Sequence, residues 1–332
     1  MTRTALIIGG GGQIGRAAGA ALRADGWRIL SVQRHANASI DEGVTPIAFD
    51  RDAPGALAQA VAGGVDAVID TVAFDAGHAT QLLQIEADVG AFVVISSASV
   101  YADARGRSLD EAQSGGFPHF PEPIGETQPT VPAGPATYST RKVAMEQSLL
   151  QSARRPVTIL RPCAIYGDGS RQPREWFFLR RILDGRREVP LAFDGQSRFH
   201  TSASRNIAEL IRISLNSPAT RVLNIADPEA LSVLAIGAAI AADFDYALAP
   251  IPFEGPPVSG VGGSPWCVPR PFIVDMARAT ALGYQPVTRY ENAVGEACRS
   301  AQAMSEAGMA MPAYMEAMFD YAAEDAFLRA RR

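Results

Sequence analysis

The sequence predicts an α/β protein, a doubly wound parallel sheet followed by a smaller C-terminal domain. Three observations carry that prediction. Short apolar runs alternate with helix-like segments through the first half of the chain, the pattern of parallel strands joined by crossover helices. A run of four glycines, Gly9 to Gly12, directly follows the first apolar run and opens a helical segment. At 332 residues, the chain is also longer than one compact core usually requires.

Taken in order, residues 5–8 (Ala-Leu-Ile-Ile) read as a first strand, and the alanine-rich residues 13–24 as a helix ending near Gly26. Residues 27–32 and 44–49 read as the second and third strands. Residues 54–62 form a short helix opened by Pro54, and residues 65–72 a fourth strand. Residues 78–89 are helical, and 91–96 and 157–160 supply strands five and six. Between strand five and the helix starting at Tyr138 lies a stretch rich in Gly, Pro and Ser, residues 103–135, expected to form a flap beside the site. Beyond Pro162 the pattern loosens: 175–184, 207–215 and 231–242 look helical, 221–225 looks like a late strand, and 250–271 looks irregular. The tail, 305–332, carries methionines and aromatics at helical spacing and is expected to serve core or subunit packing. The elements divide into a first domain of residues 1–165 plus about 203–226, and a substrate domain of residues 166–202 and 227–332.

Hydrophobic residues make up 47% and charged residues 20%, which fits a globular protein. The net charge of −5 argues against nucleic acid or an anionic lipid surface as a partner. Cys163, Cys267 and Cys298 are widely spaced, and His78, His119 and His200 have no ligand spacing, so no metal site is expected. The same cysteines read as free thiols, with Cys163 a small packing residue. The apolar run at residues 5–8 is too short for a signal sequence or a membrane span, so a cytoplasmic location is expected.

Gly9, Gly12 and Gly15 stand in the spacing GxxGxxG between the first strand and first helix, with Gln13 and Ile14 between them. One glycine turns the chain, one admits a pyrophosphate to the backbone, and one lets the helix pack on the sheet. The helix N-terminus then faces the phosphates. This context predicts a Rossmann-type dinucleotide site. NAD sites usually carry an acid at the end of strand two; here Gln33 stands there and Arg34 follows. Arg34 can pair with a 2′-phosphate, which favours NADP over NAD, or it can be a solvated strand-end residue. Asp50, at the end of strand three, is placed to touch the adenine or simply to cap its turn. Val72, Ala73 and Pro162 at strand ends complete the set expected against the cofactor.

Tyr138 and Lys142 stand at i and i+4 and so share a helix face. A free tyrosine keeps its proton until about pH 10; a lysine cation beside it favours the phenolate, which can then exchange a proton while hydride moves. Ser97, at the carboxyl end of a central strand, can hold the reacting oxygen against Tyr138, with Ser99 close by.

These residues resemble the extended short-chain dehydrogenase/reductase superfamily, in its NAD-dependent epimerase/dehydratase branch. The motifs are the glycine loop, Ser97 to Tyr101, Tyr138 with Lys142, Leu160-Arg161-Pro162 with Tyr166-Gly167, Asn224-Ile225-Ala226-Asp227-Pro228 and Leu282-Gly283-Tyr284-Gln285-Pro286. The resemblance covers nearly the whole chain. It implies Tyr138 as acid/base, Lys142 as anchor of the cofactor ribose, Ser97 as donor to the substrate oxygen, and a homodimer. Three places depart from the pattern. Sugar 4,6-dehydratases carry an Asp-Glu pair where Ala98 and Ser99 stand. Epimerases usually have an asparagine at the place of Ala164. Ser204-Arg205-Asn206 replaces the acids usual before the next helix.

The reading drawn from the sequence is an NADP-preferring reductase or dehydrogenase acting on a small molecule. The alternative is a nucleotide-sugar epimerase with tightly bound NAD, in which Arg198 and Arg270 hold a pyrophosphate rather than lying on a solvated rim. A sensor without turnover, or an RNA-binding protein, is a further alternative; Glu175-Trp176-Phe177-Phe178 with Gly185-Arg186 is similar to chloroplast stem-loop RNA-binding relatives. The acidic charge and the intact Tyr138 and Lys142 stand against both.

Overall fold

The computed structural model describes residues 2–33, 43–112 and 114–331. In chain order the first half holds β1 (Thr4–Ile8), α1 (Gln13–Ala24), β2 (Arg28–Gln33), β3 (Val44–Ala48), α2 (Ala56–Ala60), β4 (Val65–Asp70), α3 (Ala76–Gln84), β5 (Val89–Ile95), α4 (Tyr138–Ser152) and β6 (Val157–Pro162). There follow β7 (Ala164–Tyr166), α5 (Trp176–Leu183), β8 (Glu188–Leu191), β9 (Thr201–Ala203), α6 (Ser204–Asn216), β10 (Arg221–Ile225), α7 (Val233–Asp243) and β11 (Ala249–Pro252). The chain ends in α8 (Ala277–Ala281), α9 (Tyr290–Glu306), α10 (Ala313–Glu316) and α11 (Tyr321–Arg329).

Two compact units result. The first takes the described residues of Met1–Cys163, Ser204–Ala226 and Val274–Val287; the second takes Ala164–Ala203, Asp227–Ile273 and the described residues of Thr288–Arg332.

The first unit is built on a seven-stranded sheet in the order β10-β6-β5-β4-β1-β2-β3, with every neighbouring pair parallel. Its central strands are covered on both faces, which is why β1 and β5 read as almost unbroken apolar runs rather than alternating ones. Leu6, Val68, Phe92 and Val94 share a core cluster with Met145 and Leu149 of α4. Because the strand order reverses between β1 and β4, a crevice opens at their carboxyl ends, the place where such sheets take ligands.

Local boundaries moved for identifiable reasons. The helix placed at 54–62 shrinks to α2 because Gly55 adopts a left-handed φ of 76° and cuts Pro54 off. The helix placed at 78–89 starts earlier, at Ala76, because Asp75 Oδ1 accepts from Gly77 N and His78 N. The 103–135 stretch is anchored along its length: Tyr101 and Thr130 form a bridge, Val131 N donates to Val100 O at 2.9 Å, and Asp103 accepts from both Nε and Nη2 of Arg107.

In the second unit β8 pairs with β11 and β7 with β9, both parallel. Strand β11 lies in part of the stretch read as irregular; Pro250 and Pro252 disguise it, as an edge strand tolerates proline. Its core gathers Trp176, Phe177 and Phe178 of α5, Ile236 of α7 and Val294 of α9, with Met311 and Met315 from the tail.

Candidate active site

The loops leaving β1, β4 and β5 build the candidate site in the first unit. Gly9 ends β1 with φ of 80°, and a Cβ there would stand 2.4 Å from Thr71 Oγ1. A Cβ on Gly15 would stand 2.4 Å from the Gly9 carbonyl, so α1 reaches the loop this closely only because that residue is glycine. Gly12 is the N-cap of α1 and offers its first turn no side-chain acceptor. The N–H groups of that turn, with the positive end of the helix dipole, are suited to an anion. The Gln13 Oε1 is buried without a hydrogen-bond partner among the described residues, and Ile14 is buried behind it. This cradle fits a dinucleotide: it has room only for backbone, open donors for a pyrophosphate, and an unused polar atom.

The Gln33 amide donates to Ser31 Oγ at 3.2 Å, and its side chain lies against Gly11. Arg34 lies outside the described residues. Asp50 is exposed, and its Oδ1 accepts from Asp52 N at 3.1 Å, capping its own turn. Val72 is 45% exposed in the loop after β4, Ala73 beside it is buried, and Pro162 is buried at the end of β6.

Thr137 caps α4: its Oγ1 accepts from Thr140 N, and its own N donates to Thr140 Oγ1 at 2.8 Å. That cap starts the helix at Tyr138, which is 45% exposed, and places Lys142 one turn on, buried. Lys142 Nζ stands 5.8 Å from the centroid of the Tyr138 ring and donates to Ala73 O at 2.6 Å and Ile95 O at 3.0 Å. Burial lowers its ammonium from the ordinary range to about 8, the Asp70 and Glu146 carboxylates opposing the fall. Of the 30 lysines and arginines in the chain, Lys142 is the single lysine. Ser97 Oγ accepts from Ser99 N at 3.1 Å, which leaves its O–H as a donor. Ser139 Oγ lies 3.1 Å from the Ser99 hydroxyl, which is thus engaged with α4.

Several residues that hold this arrangement have no site role in the sequence reading. Arg161 of β6 makes two hydrogen bonds to Glu146 of α4 and stacks over Tyr101, its carbon 4.9 Å from the ring centroid. Arg51 Nη1 donates to Asp70 Oδ2 at 2.6 Å at the end of β4. Phe74 packs its ring 5.7 Å from that of Tyr138, and His78 accepts from Phe74 N. Asp70 carried one legible signal, a carboxylate closing an otherwise apolar strand.

Arg198 and Arg270 belong to the second unit, where Phe272 N donates to Arg198 O at 2.9 Å and the Phe199 and Phe272 rings stack at 4.9 Å. Arg198 is half-buried and Arg270 exposed. Among the described residues no group of three or more His, Cys, Asp or Glu side chains could hold a metal, and no helix is long and apolar enough to cross a membrane.

A glycine cradle at the switch point of a parallel sheet, with a serine on the loop after β5 and a tyrosine and lysine one turn apart on α4, defines a dinucleotide-binding enzyme of the extended short-chain dehydrogenase/reductase type. The chain belongs to the NAD dependent epimerase/dehydratase family, whose model matches residues 5–226. No curated protein matches it in sequence. Among solved structures it is similar to UDP-glucose 4-epimerase of Thermotoga maritima with UDP-glucose, at 17% identity and a TM-score of 0.67, covering 91% of this chain and 99% of that one. It is also similar to the Bordetella bronchiseptica enzyme WbmH in complex with NAD+, at 16% identity and a TM-score of 0.69, covering 91% and 99%. A third is dTDP-glucose 4,6-dehydratase of Bacillus anthracis in complex with NAD, at 15% identity and a TM-score of 0.65, covering 92% and 98%.

Proposed function

We propose that the protein is an NAD-dependent epimerase of a nucleotide-linked sugar, using Ser97, Tyr138 and Lys142 as its reacting set. The observation that carries this reading is the Tyr138–Lys142 pair on one turn of α4, close to a loop after β4 and beside a cradle that takes only a backbone-hugging anion. The family and the structural relatives favour the epimerase over the NADP-preferring reductase read from the sequence. Ala98 and Ser99, where sugar dehydratases carry two acids, argue against elimination of water.

When bound, the dinucleotide supplies a hydride acceptor and donor. Tyr138 takes the proton from a substrate hydroxyl as it becomes a carbonyl and returns it when the hydroxyl is remade. Lys142, held on two backbone carbonyls, supplies the positive charge that steadies the phenolate and reaches the cofactor ribose. Ser97 donates its O–H to the same substrate oxygen and fixes it in reach of Tyr138. Arg198 and Arg270 are proposed to meet the substrate's phosphates.

One observation keeps the NADP reductase as a second reading: neutral Gln33 stands where an NAD site has its acid and so does not repel a 2′-phosphate, with Arg34 next in sequence. The deciding experiment releases the nucleotide from purified protein by denaturation, identifies it by mass spectrometry, and incubates native protein with UDP-hexoses. Stoichiometric NAD with conversion between 4-epimers supports the proposal. Exchangeable NADP, with carbonyl reduction and no epimerisation, overturns it in favour of the reductase.

A further inference from the structure

The peptide unit joining Ala73 to Phe74 is gripped at both ends. Its carbonyl accepts from Lys142 Nζ at 2.6 Å, and its N–H donates to His78 Nδ1 at 2.9 Å. Because Nδ1 accepts, the imidazole proton sits on Nε2, which points at Asp52 Oδ1, 3.2 Å away. A peptide whose N–H is already bonded is a better acceptor at its carbonyl, since linked hydrogen bonds polarise one another.

The grip is itself anchored. His78 lies in the first turn of α3, where Asp75 Oδ1 accepts its backbone N–H at 3.2 Å. Asp52 Oδ1 also accepts from Gln81 Nε2 at 3.2 Å, and Gln81 Oε1 accepts from Arg51 Nη2 at 3.0 Å. Arg51 reaches Asp70, whose Oδ1 in turn holds Val72 N at 2.9 Å. The loop from Asp70 to Phe74 is therefore tied at its start by Asp70 and at its end by His78. Its last residue also touches the other member of the pair, because the Phe74 ring lies 5.7 Å from the Tyr138 ring with the Arg141 guanidinium 5.5 Å from its own centroid.

We propose that His78 is a positioning residue: by holding the Phe74 N–H it sets the Ala73 carbonyl under Lys142 and the Phe74 ring against Tyr138. This role rests on the reading that Tyr138 and Lys142 carry the reaction. In this role His78 acts through the 73–74 peptide.

The single lysine makes the test direct, because protein grown with labelled lysine gives one side-chain amine signal, that of Lys142. The signal, its titration and the steady-state kinetics are compared in wild type, His78→Leu and His78→Asn, the last keeping an acceptor near the place of Nδ1. Leucine at 78 is expected to move the Lys142 signal and its titration and to lower kcat by on the order of tenfold or more with little change in KM. Asparagine is expected to restore both. An unmoved Lys142 signal with unchanged kcat in His78→Leu overturns the proposal. So does equal damage in both variants, which would mean the ring acts by packing. Should the wild type turn over no nucleotide sugar, the proposed function falls, while the Lys142 signal still decides the role of His78. Thermal melting shows that the variants are folded; if His78→Leu is not, a Lys142 signal in His78→Asn that differs from wild type overturns the proposal and one that matches supports it.

Discussion

The guanidinium of Arg161 faces the carboxylate of Glu146 with Nε 3.0 Å from Oε1 and Nη2 2.5 Å from Oε2, both side chains almost fully buried. The pair joins β6 to the helix that carries Tyr138 and Lys142, and Arg161 covers the Tyr101 ring in the same stroke. Tyr101 continues the network through its O–H to Asn224 Oδ1 at 2.6 Å, and burial pushes its phenol up to about 12.

Removing one partner of such a pair leaves the other charged and buried. Glu146→Ala is therefore expected to lower stability by about 3–5 kcal/mol, whereas Glu146→Leu with Arg161→Met loses much less because no charge is stranded. Chemical denaturation of the two variants and wild type, followed by tryptophan fluorescence, checks the difference. A double variant no better than the single one would show that the pair is worth more than its own desolvation.

Lys142 gives a pH prediction of definite sign. Burial lowers its ammonium from 10.5 to about 8. The cation proposed to support Tyr138 is lost as pH rises through that lower value, so turnover is expected to fall above about pH 8. Between about 8 and 10.5 the unfolded chain binds more protons than the folded one, so the contribution of this group to stability rises with pH over the same window. Activity and this share of stability thus move in opposite directions. Titration of the single lysine signal checks the first value, and a pH series of melts, compared with Lys142→Met, checks the second.

Much of this arrangement was legible in the sequence. The strand and helix order, the glycine loop and the i, i+4 pair depend on periodicity and on residues with one conformational or chemical use, such as Gly15 against the Gly9 carbonyl. The supporting contacts were not. Arg161 and Glu146 are 15 positions apart, and Arg51 and Asp70 are 19 apart, and although Asp70 closes an apolar strand and Arg161 ends another, nothing local tells which partner each takes until the fold brings them together. Edge strand β11 was hidden because its two prolines mask a pairing that only the tertiary neighbour β8 reveals.

Gly15 tests the cradle. In Gly15→Ala the new Cβ would meet backbone, 2.4 Å from Gly9 O and 2.6 Å from Gly10 Cα, with no flexible side chain to give way. The loop or α1 must shift, at a cost of about 1–3 kcal/mol, and the open N–H groups move away from the place proposed for the pyrophosphate. Lower melting temperature without ligand, and a smaller rise on adding NAD than in wild type, are the expected results of thermal denaturation. A normal rise would place the dinucleotide elsewhere.

Tyr138→Phe separates chemistry from folding. The ring is 45% exposed, begins its helix, and keeps its packing on Phe74 when the hydroxyl is removed. Stability is expected to stay within about 0.5 kcal/mol of wild type. Turnover is expected to fall by roughly 10²–10⁴-fold, the usual worth of a positioned acid/base, because no other phenol in the α4 turn can move the proton. The measurement is a paired one, thermal melting alongside the rate of epimer formation from a UDP-hexose, with bound dinucleotide quantified in both proteins. Equal dinucleotide content with lost turnover assigns the hydroxyl to proton transfer. Retained turnover would remove Tyr138 from the reaction and leave its exposed ring as part of the binding surface.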